Sequence, residues 1–448
     1  MDTAVVGHLG VVSLSGLGIA AALFSLLLVV GDFVEYGTTG RSARWFGAGQ
    51  TDRAVDEGVQ ARWLAVGIGT VLVAVGEVFA EPATRLLAGG AGATADAATS
   101  WLRIGLVGLP GVLLMMAGNG WTRGVQQTRT PVAIVLGTNA VSAALCPVFV
   151  YGAGLGLRGS AVANLVAQVI GATLFLAALH RRALHRRAGF WRAGFWRPRP
   201  AVLRAQLVVG RELVVRSVAF QVAFLTAAGG AARFGPDQVA AHQVGLQLWT
   251  FLALVLDAFA VAAQSLVGAA LGTGDVPAAR GIGWRVAAYG TGGGVVLAVG
   301  LAVFNADAGV RHQIGVVWPW LAVMMPAGGL VFALDGVLIG AGDVRFLRTV
   351  TLLGAVAVFA PLNLAAVRFD WGLGGVWAGL TSFIVVRLVG GVLRVRGTAW
   401  TRHPTPDTRL SPVRPDRAVG LSIPPRPPRS CPFGQSRVAV FRSSRRCS

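Results

Sequence analysis

The chain has 448 residues, of which 54% are hydrophobic and only 13% are charged, so it is far more apolar than a soluble globular protein of this length. Its formal net charge is +20, and every basic residue is an arginine. The arginines lie between apolar spans and in the C-terminal tail, as the positive-inside rule of membrane proteins predicts, rather than on one nucleic-acid-binding face. Composition therefore excludes an ordinary soluble domain, and we expect no nucleic acid partner.

Apolar runs, separated by charged residues, glycine or proline, predict eleven membrane-spanning segments. Helices are expected because lipid leaves no backbone polar group unsatisfied, and the sequence lacks the alternating pattern of a transmembrane barrel. In chain order the predicted spans are 11–36, 59–80, 99–119, 131–152, 159–180, 207–231, 240–270, 281–304, 317–341, 348–367 and 372–393.

The loops on one side of these spans carry most of the arginines, which fixes the predicted orientation. They hold nineteen arginines and comprise 41–62, 120–131, 181–211, 280–285 and 342–348. We therefore place these loops and the C-terminus in the cytoplasm, and we predict a multi-pass protein of the cell inner membrane.

Three glycine-containing patterns occur twice in the same order and at nearly one offset, which predicts two tandem halves. The pairs are Gly47–Asp52 with Gly272–Asp275, Gly120–Arg129 with Gly336–Arg345, and Gly154–Gly156 with Gly372–Gly374. Because the matched loops lie on the same side of the membrane, each half needs an even number of helices, and the repeats are parallel.

The second half has six predicted spans, whereas the first has only five. The first-half helix equivalent to span 207–231 would lie one repeat earlier in the chain, largely before residue 1. The chain is therefore expected to begin inside its first helix. A mis-assigned start codon is the preferred explanation, and a damaged gene is the alternative. The predicted fold is an all-α polytopic membrane protein with two parallel six-helix lobes. Its predicted parts are an N-lobe (1–180), an Arg-rich cytoplasmic linker (181–206), a C-lobe (207–396) and a disordered cytoplasmic tail (397–448).

Six motifs, in order, resemble the multidrug and toxic compound extrusion (MATE) family and its DinF-like branch. They are DTAVVGHLG (2–10), EYGTTGRSARWFGAGQ (35–50), GNGWTRGVQQTRTP (118–131), GLGLRGSAVA (154–163), the run from AAHQVG to LGTGD (240–275) and LDGVLIGAGDVRF (334–346). The resemblance implies twelve helices, a V-shaped cavity between two lobes, and export driven by inward flow of protons or, as the second choice, sodium ions. It implies no cofactor.

Four carboxylates are candidates for ion coupling, because an antiporter needs an ionisable group that can be reached from each side in turn. Asp2 matches the Asp of the family's DT motif, which the resemblance implies is a proton site. Asp257 and Asp335 lie in predicted C-lobe spans, where an unpaired charge costs several kcal/mol. They must therefore face the cavity or a partner, and Arg216 and Arg387 are available for buried ion pairs; the sequence leaves both roles open.

Glu35 is the fourth candidate and, with Asp32, lies near the cytoplasmic end of a span, where a local salt bridge is the alternative. The pattern also departs from the family in one place. Relatives often carry Asn and Asp four residues apart in the fifth helix, whereas Ser142 and Cys146 occupy these positions here. The two-carboxylate network that the resemblance implies for the N-lobe is therefore incomplete.

Polar residues within spans are candidates for lining a substrate cavity, although interhelical hydrogen bonds would explain each of them as well. They are Asn139, Asn164, Gln168, Gln221, Gln247 and Gln264. A second group is predicted to act in gating, since glycine lets helix ends approach closely and arginine can pin a loop. It comprises Gly120, Arg123, Gly124, Gly272 and Gly340.

These features predict a secondary active antiporter that exports amphipathic, cationic organic compounds by alternating access of its two lobes. The expected partners are lipid, a small organic substrate and protons or sodium ions, and a monomer is predicted. The alternatives are a flippase for lipid-linked oligosaccharides and a non-transporting truncated gene product. No motif of a metalloprotease, P-loop or serine hydrolase is present in the sequence, so we expect no enzyme and no metal.

Overall fold

A computed structural model describes residues 2–184, 196–304 and 315–402, and these ranges are helical with no β-strand. The first half, residues 2–184, contains α1 (Asp2–Gly7), α2 (Val11–Gly47), α3 (Thr51–Leu87), α4 (Ala93–Val107), α5 (Leu109–Gly124), α6 (Arg129–Pro147) and α7 (Leu157–Leu184). The second half, residues 200–402, contains α8 (Pro200–Ala232), α9 (Pro236–Gly272), α10 (Val276–Phe304), α11 (Trp318–Gly340), α12 (Val344–Leu353), α13 (Ala360–Arg368) and α14 (Gly372–Arg396). A π-helical turn, Val148–Gly152, extends α6, and another, Gly354–Phe359, joins α12 to α13.

Nine helices in the described ranges are long and apolar enough to cross a membrane, and a bent pair, α4 with α5, makes a possible tenth. The 50° bend falls at Gly108, two residues before Pro110, whose ring nitrogen has no hydrogen to donate to the preceding turn. The prediction of an all-α polytopic membrane protein is confirmed.

Several helices are longer than their apolar spans, because charged side chains at their ends find partners. Helix α2 runs to Gly47, so that the predicted loop 41–62 shrinks to residues 48–50. The guanidinium of Arg41 forms an ion pair with Glu57 at 2.6 Å, and Nε of Arg44 donates a hydrogen bond of 3.1 Å to the carbonyl of Gly340. Apolarity marks only the part of a helix that lies in lipid, and these helices continue beyond it.

The backbone itself repeats between the halves, because residues with positive φ recur in pairs at constant spacing. One spacing relates Gly10 (φ 106°) to Gly235 (φ 108°) and Gly49 (φ 71°) to Gly274 (φ 80°). A second, slightly shorter spacing relates Gln126 (φ 58°) to Gly342 (φ 75°), Gly154 (φ 66°) to Asp370 (φ 53°), and Gly156 (φ 55°) to Gly372 (φ 65°). L-residues rarely adopt this conformation, so the pairing shows that both halves follow one chain path. The predicted match of Gly154 with Gly372 is wrong in register, because Gly372 corresponds to Gly156.

Helical residues lie inside two segments that the sequence analysis assigned to a linker and a tail. Helix α8 begins at Pro200, inside the predicted linker 181–206, and residues 185–195 of that linker lie outside the described ranges. A short 3-10 helix, Ala399–Arg402, lies in the predicted disordered tail and is ordered because Trp400 is fully buried, with its Nε1 donating to the carbonyl of Val395 at 3.0 Å. The rest of the predicted tail, 403–448, lies outside the described residues.

Candidate ion-coupling and gating site

The two halves meet where α2 crosses α9, at a contact made of glycine and alanine. A Cβ atom added at Gly47 would overlap the carbonyl oxygen of Ala269, and one added at Gly272 would overlap that of Arg44. Between them, a Cβ at Gly268 would come 2.9 Å from the Cβ of Ala43. We call this contact the glycine crossing; only residues without a Cβ let the two backbones approach so closely.

The glycine crossing has an approximate two-fold symmetry. The spacing that relates Gly10 to Gly235 also relates Arg44 to Ala269 and Gly47 to Gly272. The contact of Gly47 with Ala269 is therefore equivalent to the contact of Gly272 with Arg44. Ala43 corresponds to Gly268, so the axis passes between these two. Each half thus presents the same patch to the other, as in a symmetric dimer interface.

Neighbouring helices repeat this symmetry. The hydroxyl of Ser265 donates a hydrogen bond of 2.7 Å to the carbonyl of Arg123. In the first half, Gly40 is equivalent to Ser265 and Ile339 of the second half to Arg123, and a Cβ at Gly40 would lie 3.0 Å from the carbonyl oxygen of Ile339. These contacts place the end of α5 against α9 and the end of α11 against α2. The crossing is therefore a four-helix contact in which two helices from each half take equivalent places.

Three of the predicted gating glycines pack closely against a helix of their own half, and the carbonyl of Gly340 also accepts the hydrogen bond from Arg44 of the other half. Those on α5 pack against α2: a Cβ at Gly120 would overlap the carbonyl of Glu35, and one at Gly124 would lie 2.7 Å from that of Thr39. Gly340 on α11 packs in the same way against α9, with the carbonyl of Gln264 at 2.5 Å. Of the predicted set, Gly272 packs directly against the backbone of the other half, and the carbonyl of Arg123 accepts a hydrogen bond from Ser265 of the other half. The sequence analysis missed Gly47 and Gly268 as direct members, although Gly47 stood in the first repeat pattern.

A polar contact continues the interface about three helical turns beyond the glycines. The hydroxyl of Tyr36 on α2 donates a hydrogen bond of 2.9 Å to Oδ2 of Asp257 on α9. The amide of Gln264 donates to the main-chain carbonyl of the same Tyr36. Asp257 and Gln264 are seven residues apart, about two helical turns, and so lie on one face of α9. Helix α9 thus holds Tyr36 at two points.

Two of the four predicted coupling carboxylates are ion-paired. Glu35 pairs with Arg123, not with the nearby Arg41. Asp335 receives hydrogen bonds on Oδ2 from both Arg216 and Arg387, so the pairing considered for the second half is formed at this acid. The Arg387 side chain is only 3% exposed. These carboxylates have guanidinium groups where a coupling ion would have to bind.

The Asp257 carboxylate differs from these, because the described residues show no ion pair to it; its hydrogen bond comes from Tyr36. One repeat earlier in the chain, Asp32 occupies the equivalent position on α2 and is exposed. The two acids are within electrostatic reach of each other. Asp32 has no counterpart of the tyrosine, since the residue of α9 equivalent to Tyr36 is Val261. The repeat offset was the signal that could have singled out Asp32 from the sequence.

The predicted coupling residue Asp2 lies in a separate polar cluster of the first half. Asn164 donates to Oδ2 of Asp2, and the hydroxyl of Ser142 donates to Oδ1 of Asn164 at 2.9 Å. The buried thiol of Cys146 lies next to the same carboxylate. Ser142 and Cys146, the residues that depart from the family pattern, therefore do surround Asp2, but they bring no second carboxylate to it.

The predicted cavity residues divide into three groups. Asn139, Gln221 and Gln247 are exposed. Asn164 belongs to the Asp2 cluster, and Gln168 packs between helices, its Oε1 lying where a Cβ of Gly108 would be. Gln264 makes the interhelical hydrogen bond that was the alternative for these residues: it is 1% exposed, and its side chain bonds α9 to α2.

Comparison with known proteins agrees with this architecture. The MatE family model matches residues 1–148 and 213–364, which is more than half of the chain. This chain belongs to the MatE family. The MatE chain is 29% identical over 423 residues to Protein DETOXIFICATION 44, chloroplastic, of Arabidopsis thaliana, covering 88% of this chain and 78% of that protein. It is 28% identical over 418 residues to DNA damage-inducible protein F of Escherichia coli K12, covering 90% and 87%.

Solved structures show the same fold. A crystal structure of MATE in the bent conformation matches the MatE chain with a TM-score of 0.79 at 19% identity, covering 88% of this chain and 90% of that one. An outward-facing multidrug resistance MATE family transporter of the MOP superfamily matches with a TM-score of 0.78 at 19% identity, with coverages of 88% and 90%. The family and fold are those of multidrug-type efflux transporters in a membrane, not of enzymes.

Proposed function

We propose that this MatE protein exports amphipathic organic cations across the cell inner membrane in exchange for protons, by alternating access of an N-lobe (1–180) and a C-lobe (207–396). The observation that carries the proposal is the position of Asp257. Among the described residues this carboxylate has no guanidinium partner, and it lies on α9 where α9 contacts α2 of the other half. A group placed there changes its surroundings whenever the halves move, which an ion-coupled transporter requires.

The end of the bundle with the glycine crossing is the cytoplasmic end in this proposal. Arginines concentrate at this end: Arg41, Arg44 and Arg123 make the contacts already described, and Arg199 forms an ion pair with Asp56 at 2.9 Å. The positive-inside rule places such loops in the cytoplasm, and with them the C-terminus. The structure then represents the state closed to the cytoplasm.

Proton exchange is assigned to Asp257 and Asp2, and ion pairing to Asp335 and Glu35. A carboxylate that is already bonded to guanidinium gains little from protonation, because it would lose a charge-assisted hydrogen bond. Asp257 and Asp2 accept hydrogen bonds from neutral groups, Tyr36 and Asn164, and lose less. The protein is expected to work as a monomer surrounded by lipid, since each chain carries both lobes.

In proteoliposomes, replacing Asp257 by Asn is expected to abolish uptake of an organic cation such as ethidium driven by a pH gradient, because the side chain can no longer release a proton. Asp2→Asn is expected to reduce it, as a second proton site would. Fluorescence quenching upon imposing the gradient measures the flux. A sodium gradient of equal size is expected to drive no uptake.

The matched control is Asp237→Asn, which removes an exposed acid from the first turn of the same helix α9. Its uptake should equal that of the wild type. Equal proton-driven flux in Asp257→Asn and wild type would show that Asp257 does not couple, and sodium-driven flux in the wild type would show that the proton assignment is wrong.

A further inference from the structure

We propose that Tyr36 is a positioning residue that acts through Asp257. Its hydroxyl holds the crossing end closed while Asp257 is ionised and releases it when Asp257 takes up a proton. This inference rests on the proposed function, and it assigns the step by which protonation changes the conformation. It concerns a hydrogen bond between the two halves, not a contact within either.

The geometry makes this bond a sensor of the distance between halves. Tyr36 belongs to α2 of the first half, and Asp257 to α9 of the second, so the 2.9 Å bond exists only while the helices are crossed. The glycines that form the crossing continue along the same two helix faces, with Gly47 on α2 and Gly272 on α9. Any opening that separates those glycines must lengthen the bond between Tyr36 and Asp257.

The charges around Asp257 decide the direction of the pH effect. Three carboxylates and two guanidinium groups lie within electrostatic reach of it: Asp32 and Glu35 on α2, Asp335 on α11, Arg123 on α5 and Arg216 on α8. Glu35 is paired with Arg123, and Asp335 with Arg216 and Arg387, so that Asp32 is the acid without an ion pair among the described residues of this group. When the halves close on an ionised Asp257, the bond from Tyr36 favours closure and repulsion by Asp32 opposes it. We take the bond to be the larger effect, because it is a direct contact with the carboxylate.

A hydrogen bond to an ionised carboxylate is roughly twice as strong as one to a neutral acceptor. Protonation of Asp257 therefore weakens its bond to Tyr36 and favours opening of the crossing end, whereas loss of the proton favours closing. In the orientation proposed above, a proton that enters from outside opens the protein to the cytoplasm. This is the order that proton-driven export needs.

The repeat relates Asp257 to Asp32, and a comparison of the two acids explains why only Asp257 acts as this switch. Asp32 lies where Asp257 would lie after a shift of one repeat, but α9 offers Val261 where α2 offers Tyr36. Among the residues that the structure describes, Asp32 thus receives no equivalent hydrogen bond from the other half. A nearly symmetric contact becomes an asymmetric switch through one hydroxyl group.

The test measures the separation of the crossing end by pulsed electron spin resonance. Spin labels at Gln50→Cys and Thr273→Cys, both exposed positions next to the crossing, report the distance between α2 and α9. Cys431→Ser and Cys447→Ser remove the tail thiols, while the buried Cys146 is kept. Distances are measured without substrate in nanodiscs, in buffers from about pH 5 to about pH 8.5, across the range in which desolvated carboxylates titrate.

In the wild type, we expect the closed population to fall about tenfold relative to the open one as the pH decreases, the size of effect that a charged hydrogen bond supports. Tyr36→Phe should remove most of this pH dependence while Tyr289→Phe, which alters an exposed tyrosine on α10, leaves it intact. Asp257→Asn should remain open in part at every pH.

An unchanged pH profile in Tyr36→Phe, or a wild type with one distance throughout, overturns the assignment. Both outcomes are separate from failure of the proposed function, because transport driven by a pH gradient is measured on its own. Proton-driven uptake combined with a pH-independent distance would leave the transporter assignment standing and eliminate the switch.

Discussion

Replacing Gly47 by alanine is expected to shift the protein out of the closed arrangement by about 1–3 kcal/mol, the usual cost of adding a methyl group to a packed interface. The new methyl would overlap the carbonyl oxygen of Ala269, which belongs to the backbone and cannot rotate away. The helices must therefore separate, and the closed population should fall roughly 5- to 150-fold. The spin-label distance between Gln50→Cys and Thr273→Cys measures this directly.

The approximate symmetry makes the prediction sharper. Gly272→Ala should produce a shift of similar size, because it repeats the same overlap against the carbonyl of Arg44. The double variant should cost less than the sum, since the first methyl already separates the helices. Gly67→Ala is the control: it adds the same methyl to α3, where no atom lies within 4 Å. A closed population unchanged in both Gly47→Ala and Gly272→Ala would show that the close contact does not hold this end shut.

Replacing Asp335 by Asn is expected to destabilise the protein by about 3–5 kcal/mol, since it leaves two largely buried guanidinium groups without their shared counter-ion. Arg387→Gln should cost less, because Asp335 keeps its pair with Arg216. The double variant Asp335→Asn with Arg387→Gln should recover much of the loss, since one positive charge leaves with the negative one. Thermal unfolding in detergent, followed by size-exclusion chromatography, ranks the three.

An exposed pair supplies the comparison for these measurements. Glu81→Gln breaks exposed ion pairs with Arg85 and Arg103: the Glu81 side chain is 43% exposed and each arginine side chain 50%, and such pairs are worth about 0–1 kcal/mol. Its unfolding temperature should stay close to that of the wild type. If Asp335→Asn were equally harmless, Asp335 would be neutral already, and its role as the anchor of Arg216 and Arg387 would have to be abandoned.

The sequence by itself determined the fold class and the repeat. Apolar runs identify membrane helices because the bilayer leaves few alternatives. The spacing between Gly47 and Gly272 recurs between Gly10 and Gly235, whose backbone conformations match. The sequence also located the close-packed glycines Gly120, Gly124 and Gly340, since only glycine fits such contacts. These properties are local or periodic, so composition and pattern report them.

The tertiary structure alone decided which charges are paired. Asp257 and Asp335 look equivalent in the sequence, yet Asp335 receives two arginines and Asp257 receives a tyrosine from the other half. The partners are 52 to 221 residues away in the chain, so no local pattern announces them. Whether a carboxylate in a membrane is neutralised depends on what reaches it across packed helices. That packing separates the structural acids from the proposed coupling acids.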